Sequence, residues 1–239
     1  MRYLHFGSEW IQGAMRIARP WNLELEYTRE MMASLLLRDD AVWPRKVLLI
    51  GLGAGSLTKF LYRHFPFAHL TVVEIEPAVV DTARQYFKLP EDAKRINLVI
   101  GDGLEYVQNS GKKFDLILVD GYDGNASAGV LDTLPFYQGC RARLNADGIL
   151  SANLLTSNRR FGGSIRRIGE AFADRVLAFP SCESGNAIAF AAKGDPVEIT
   201  LRDLREKALE LHRKTGLNLM PGIARLEHAQ SCLGGVLTL

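Results

Sequence analysis

Short, mostly apolar runs recur along the chain at 46–50, 70–75, 96–100, 114–120 and 148–154, separated by segments whose apolar positions return every three or four residues. Runs of that length bounded by glycine, proline or aspartate read as buried strands, and the intervening period reads as amphipathic helix. Helices are predicted at 56–64, from Pro77 onward, briefly after Gly103, and around 135–144. Pro77 suits a first helical turn, where the missing N–H would have had no partner. Ahead of this alternation, 3–17 reads as a short hairpin and 23–37 as an amphipathic helix with Asn22 as its N-cap. Pro44 then breaks the chain before the first core strand. Behind the alternation, runs at 175–179 and 187–192 are joined by a short connection, which predicts an antiparallel pair at the sheet edge. A charged helix over 201–214 follows.

Strands that are apolar almost throughout, alternating with helices, require a sheet buried on both faces. The expected fold is α/β: a Rossmann-like, open, mostly parallel seven-stranded sheet with helices on both faces and an antiparallel edge pair. At this level the chain divides into an N-terminal extension, 1–40, and an α/β domain, 41–239.

Composition narrows the partners more than the fold. The 239 residues carry 29 basic and 27 acidic side chains, a formal charge of +2 that makes no electrostatic case for nucleic acid or an anionic membrane. A hydrophobic fraction of 47% with 23% charged residues is that of a globular protein in water. The N-terminus lacks a long apolar core, and 47–54, the most apolar stretch, is broken by glycines and too short to span a bilayer. Cys140, Cys182 and Cys232 lie far apart without metal-ligand spacing, which predicts reduced thiols in a cytoplasmic protein and no metal site.

Chemistry-bearing residues gather where the strands end. The first core strand runs into Gly51-Leu-Gly53-Ala-Gly55-Ser56, and the second ends at Glu74. Glycines admit a tight turn and a ligand close to the backbone, and the helix behind offers free N–H groups. An acid at the next strand end is placed to accept from ribose hydroxyls. A dinucleotide fingerprint would put a third glycine where Ser56 stands; glycines at 51, 53 and 55 favour an adenosyl ligand instead. Gly101-Asp102-Gly103 closes the third strand, where Asp102 can cap the next helix, accept from an adenine amine, or do both. Asp120-Gly-Tyr122-Asp123 closes the fourth. Two carboxylates so spaced can converge on a cation, or one can take a proton while the other positions its donor. The plain alternative is an Asx-type turn with solvated acids. Glu74, Asp102, Asp120 and Asp123 on one crevice make a negative pocket suited to a sulfonium or an amine. Glu76, beside Pro77, reads as a solvated acid at a helix start.

From Val47 to Leu150 the chain resembles the spermidine/spermine synthase family of aminopropyltransferases, in VLLIGLGAGSLTKFLYRHFP, VVEIEPAVVDTARQYF, GDGLEYV, FDLILVDGYD and the later FY with L-x-x-x-G-I-L. YTREMMASLLL is similar to the family's segment before the first core strand. The resemblance implies that Gly51, Gly53 and Glu74 hold the nucleoside, with Glu74 on the ribose and Asp102 at the adenine. Gly55 and Gly103 complete the candidate cofactor-binding set. Asp120 matches the carboxylate that accepts a proton from the attacking amine; Asp123 matches a second acid that helps hold the polyamine, with Tyr122 beside it. The family implies decarboxylated S-adenosylmethionine as donor, putrescine or a longer amine as acceptor, no metal, and a homodimer. The family's glycine-loop aspartate, which clamps the aminopropyl ammonium, is replaced here by Ala54. Its tyrosine before a Gln/His-Glu-Met segment falls on Thr28, with Tyr27 one place off, and Arg16 stands where a glutamine would contact the donor.

Three functions fit these residues: aminopropyl transfer, methyl transfer from intact S-adenosylmethionine on the same fold, and binding of an adenosyl ligand without catalysis. The remaining conspicuous residues take bland readings. His5, His64, His69, His212 and His228 share no metal-site spacing; Arg159, Arg160, Arg166 and Arg167 read as a solvated helix face. Ser184-Gly185-Asn186 reads as a turn closing the edge hairpin, and Trp10, Trp21 and Trp43 as packing anchors.

Overall fold

A computed structural model describes residues 1–7, 11–39, 42–122, 127–156, 161–180, 185–229 and 232–239. The hairpin read at 3–17 is present: β1 (Arg2–Leu4) pairs antiparallel with β2 (Gly13–Met15), Tyr3 opposite Ala14. The helix expected at 23–37 is shorter and starts later. It spans α1 (Glu26–Met31) and tightens into a 3-10 turn, Met32–Leu36, with Leu25 and not Asn22 at its N-cap. Asn22 instead closes a tight turn, its N–H donating to the Arg19 carbonyl at 3.2 Å, three residues ahead of the Leu25 N-cap.

The alternation follows as read. β3 (Lys46–Ile50), α2 (Ser56–His64), β4 (His69–Glu74), α3 (Pro77–Phe87), β5 (Ile96–Ile100), α4 (Gly103–Asn109) and β6 (Phe114–Val119) succeed one another. A 3-10 turn, Gly129–Asp132, then leads into α5 (Leu134–Arg143) and the long strand β7 (Leu144–Leu155). After α6 (Phe161–Phe172) come β8 (Val176–Ala178) and β9 (Asn186–Ala192). The seven strands lie in the order β5-β4-β3-β6-β7-β9-β8; the first four pairings are parallel, and β9 runs antiparallel to both its neighbours. Parallel order reversing on either side of β3 opens a crevice at the carboxyl ends of β3 and β6.

Successive side chains of each strand enter opposite cores, as a period of two demands. Val47 and Leu49 pack with α1, α2, α3 and the C-terminal helices; Leu48 and Ile50 pack with α4, α5 and α6. The C-terminal part holds more than the predicted charged helix. β10 (Glu198–Thr200) leads into α7 (Leu201–Thr215), capped by the Thr200 side chain, and α8 (Met220–His228) and β11 (Val236–Thr238) follow. β11 returns to pair with β10, Ile199 opposite Leu237. A three-residue strand carries no readable period, and α8 opens on Pro221 in its first turn, where the missing N–H needs no helical partner. No helix among the described residues is long and apolar enough to cross a membrane.

Candidate active site

The strand ends converge on a cavity of about 540 Å³, walled in part by Gly51, Gly53, Glu74, Asp102, Gly103, Asp120 and Tyr122. That volume is in the range of small-molecule sites. Gly55 is not among the lining residues; it adopts φ 66° as the N-cap of α2, a conformation that favours glycine. Asp123 lies outside the described residues.

At the β4 end, Glu74 is buried, and both its oxygens are held by backbone donors: Oε2 by Leu52 N–H at 2.9 Å and Oε1 by Glu76 N–H at 3.0 Å. A carboxylate oxygen accepts more than one hydrogen bond, so this one is oriented yet still able to take ligand hydroxyls. Glu76 is the exposed N-cap of α3, as its helix-start reading expects, and it also stands at the cavity's edge. Asp102 accepts from Glu105 N–H at 3.0 Å, capping α4 without leaving the cavity wall.

The β3 and β6 ends meet through Gly51. Its φ is 92°, and a Cβ there would lie 2.2 Å from the Asp120 carbonyl oxygen, so only glycine lets the two loops close. Asp120 follows β6, its N–H donating to the Ile50 carbonyl at 2.9 Å. Its side chain receives one donor on each oxygen: Tyr27 O–H on Oδ2 at 3.2 Å, and Asn153 Nδ2 on Oδ1 at 2.9 Å. Burial pushes the Asp120 carboxyl above the ordinary aspartate range, while the two donors pull it back. Tyr27 is held far above the usual phenol range by burial and by Asp120, so it stays a proton-bearing donor. Tyr122 lines the cavity but turns its hydroxyl to the Asn153 carbonyl at 2.7 Å, with its own ionisation pushed up by burial first and Asp120 second.

Several contacts of the site were not legible in the chain. Tyr27, and not Thr28, carries a hydroxyl to Asp120; Thr28 spends its hydroxyl on the Leu25 carbonyl within its own turn. Arg16 does not reach the cavity and pairs with Glu24 at 3.2 Å, while Gln12 lines the wall near Gly53. Asn153 and Asn186 enter the site's polar network, the latter donating to the former at 2.8 Å. The signal for Asn153 was an amide inside the predicted, mostly apolar run 148–154; Asn186 was hidden by its turn-like context. Ala54 is packed under β2 with Leu4, Met15 and Phe87, and Gly13 approaches it so closely that a Cβ there would lie 2.5 Å from the Ala54 methyl. Ala54 also lines the cavity. Among the described residues, no cluster of His, Cys, Asp and Glu could hold a metal ion.

The chain is similar to several known proteins. The family model described as the spermine/spermidine synthase domain matches residues 25–157. A polyamine aminopropyltransferase of Chromobacterium violaceum is 35% identical over 239 residues, covering 100% of this chain and 90% of that relative. A polyamine aminopropyltransferase of Neisseria meningitidis is 34% identical, covering 95% of this chain and 86% of its own length. Among solved structures, a spermidine synthase in complex with the transition-state analogue AdoDATO superimposes with a TM-score of 0.65 at 30% identity, covering 84% of this chain and 72% of that one. Human methyltransferase-like protein 13, in complex with SAH, gives 0.69 at 25% identity, covering 80% and 93%. With a full-length relative at this identity and a family model over more than half its length, the chain belongs to the spermine/spermidine synthase family.

Proposed function

We propose that this protein is a polyamine aminopropyltransferase that moves an aminopropyl group from decarboxylated S-adenosylmethionine to a small amine such as putrescine. The observation that carries this reading is the Asp120 carboxylate, buried at the end of β6, with Tyr27 and Asn153 each donating to one oxygen. A carboxylate so held, with burial raising its proton affinity, is placed to take the proton of an attacking amine.

The donor supplies an electrophilic carbon beside a sulfonium, a leaving group already activated, so a metal is not part of the reading. Glu74, fixed by two backbone N–H groups, accepts from the ribose hydroxyls; Gly51 and Gly53 let the nucleoside approach the loop, and Asp102 and Gly103 face the adenine. Asp120 orients the acceptor nitrogen and takes its proton as the new carbon–nitrogen bond forms and the carbon–sulfur bond breaks. Most of the acceleration comes from aligning nucleophile and electrophile, to which oriented groups contribute more than charge alone. Tyr122 and Asp123 hold the acceptor's chain. The same reading includes a cytoplasmic homodimer that does not bind nucleic acid.

The test incubates the full chain with putrescine and either donor, and follows the nucleoside product. Release of methylthioadenosine from the decarboxylated donor is expected. With Asp120→Asn, kcat falls by about 10²–10⁴-fold, the contribution of a general base. Turnover of the wild type is lost as pH drops through the raised Asp120 pKa, because the base is active only when ionised. Release of S-adenosylhomocysteine from the intact donor, with none of the first product, would replace this reading by methyl transfer.

A further inference from the structure

Two amides behind Asp120 form a chain that points at it. Asn186 Nδ2 donates to Asn153 Oδ1 at 2.8 Å, and Asn153 Nδ2 donates to Asp120 Oδ1 at 2.9 Å. Asn153 is 5% exposed and Asn186 7%, so both sit in surroundings where a misdirected amide is costly. They come from neighbouring antiparallel strands: Asn153 lies opposite Ile188, and Asn186 opposite Leu155, which puts the two amides diagonally on one face of the β7–β9 pair.

We propose that Asn153 and Asn186 are positioning residues, a two-amide relay that fixes the orientation of the Asp120 carboxylate and keeps it in the form that accepts a proton. The inference rests on the reading of Asp120 as proton acceptor given above.

The direction of the relay follows from one end. An ionised carboxylate only accepts, so Asn153 must face Asp120 with its NH₂ group. The Asn153 oxygen then faces Asn186, which must in turn present its own NH₂. Run the other way, the chain would set Asn153 Oδ1 against Asp120, an arrangement tolerated only by a protonated acid. Asn186, which is not part of the cavity wall, thereby selects the ionised state of a group it does not touch. The opposing influence is burial, which favours the neutral acid. Of the other titratable groups, Tyr27 on α1 and Tyr122 on the loop after β6 face Asp120, and both remain protonated. Glu74 ends β4 and Asp102 follows β5, two and three strands away across the sheet.

Asn186→Asp tests the relay in the full chain. An aspartate at 186 accepts where the amide donated, so the Asn153 amide turns and presents its oxygen to Asp120. Two readouts are taken: the carboxyl titration of Asp120 by ¹³C NMR, and the pH profile of kcat with decarboxylated S-adenosylmethionine and putrescine. Both the titration and the acid limb are expected to move up by about one pH unit or more. The KM for the donor stays within about twofold, because ground-state binding is untouched. Asn186→Leu removes the donor without adding a charge; it is expected to shift both in the same direction by less, and it serves where the aspartate variant does not fold. A folded Asn186→Leu protein with the wild-type titration of Asp120 would overturn the relay, whatever its effect on stability. The NMR titration does not depend on turnover. If Asp120→Asn keeps full activity, the role of Asp120 fails separately from the orientation of its carboxylate.

Discussion

Lys59 lies in the first turn of α2, wholly buried, with its Nζ donating to the Phe87 carbonyl at 2.8 Å and to no carboxylate among the described residues. Burial lowers its pKa to about 8, with Lys88 adding a smaller push in the same direction. The charged form is therefore disfavoured in the folded chain relative to the unfolded one. Stability falls as pH drops from the ordinary lysine value through about 8 and then levels, so the full penalty is present at pH 7. Lys59→Met removes the charge but leaves Phe87 O without its donor. The net expectation is a stabilisation on the order of 1–3 kcal/mol at pH 7, shrinking as pH rises toward 10.5. Denaturant unfolding of both proteins across that range checks it; a constant difference would mean Lys59 titrates normally.

Among the elements, the 3-10 turn at Gly129–Asp132 forms part of the wall of the crevice. It brings Gly129, Val130 and Leu131 to the cavity wall. Asp132 fastens it, accepting from Tyr137 O–H at 3.0 Å and Ser164 Oγ at 2.9 Å, and pairing with Arg167 of α6. Arg167 is thus partly withdrawn from the solvated face that its neighbours suggested; Arg159 and Arg160 lie outside the described residues. Asp132→Ala leaves the guanidinium without its carboxylate and frees the turn. Donor affinity, measured by calorimetry, is expected to fall by about tenfold, or ~1.4 kcal/mol. Unchanged affinity would show that the turn holds its place through Leu131 packing alone.

Across the whole molecule, the N-terminal segment is continuous with the core. Met31, Met32 and Leu36 are at most 2% exposed and pack against the face of the sheet that carries Val47 and Leu49. Ser151 Oγ donates to the Met31 carbonyl at 3.1 Å, and Lys207 Nζ to the Leu36 carbonyl at 3.2 Å. Fully burying one such side chain is worth about 1.5–3 kcal/mol, against a total stability of about 5–15 kcal/mol for a domain. A chain starting at residue 41 also loses Tyr27 from Asp120. It is expected to show no cooperative thermal transition and no donor binding; a sharp transition by calorimetry would mean that the sheet is stable by itself.

The chain alone determined the strands of the central sheet, the order of helices between them and the acids at their ends. Apolar runs bounded by glycine and aspartate are local signals, and a parallel sheet leaves its strand ends on one edge whatever the details of packing. Glu74, Asp102 and Asp120 could therefore be named before any coordinates. The tertiary structure decided what no local pattern carries. Which of Tyr27 and Thr28 meets Asp120 depends on where α1 starts, and it starts after Leu25 with no capping side chain to announce it. Gln12 in place of Arg16, and Ala54 under Gly13, follow from how the hairpin lies on the glycine loop. Asn153 and Asn186 stand 33 positions apart, and only strand register brings one amide against the other. Periodicity reports which face a residue takes; a hydrogen bond between distant segments depends on the register and packing of both, and these are set by the folded whole.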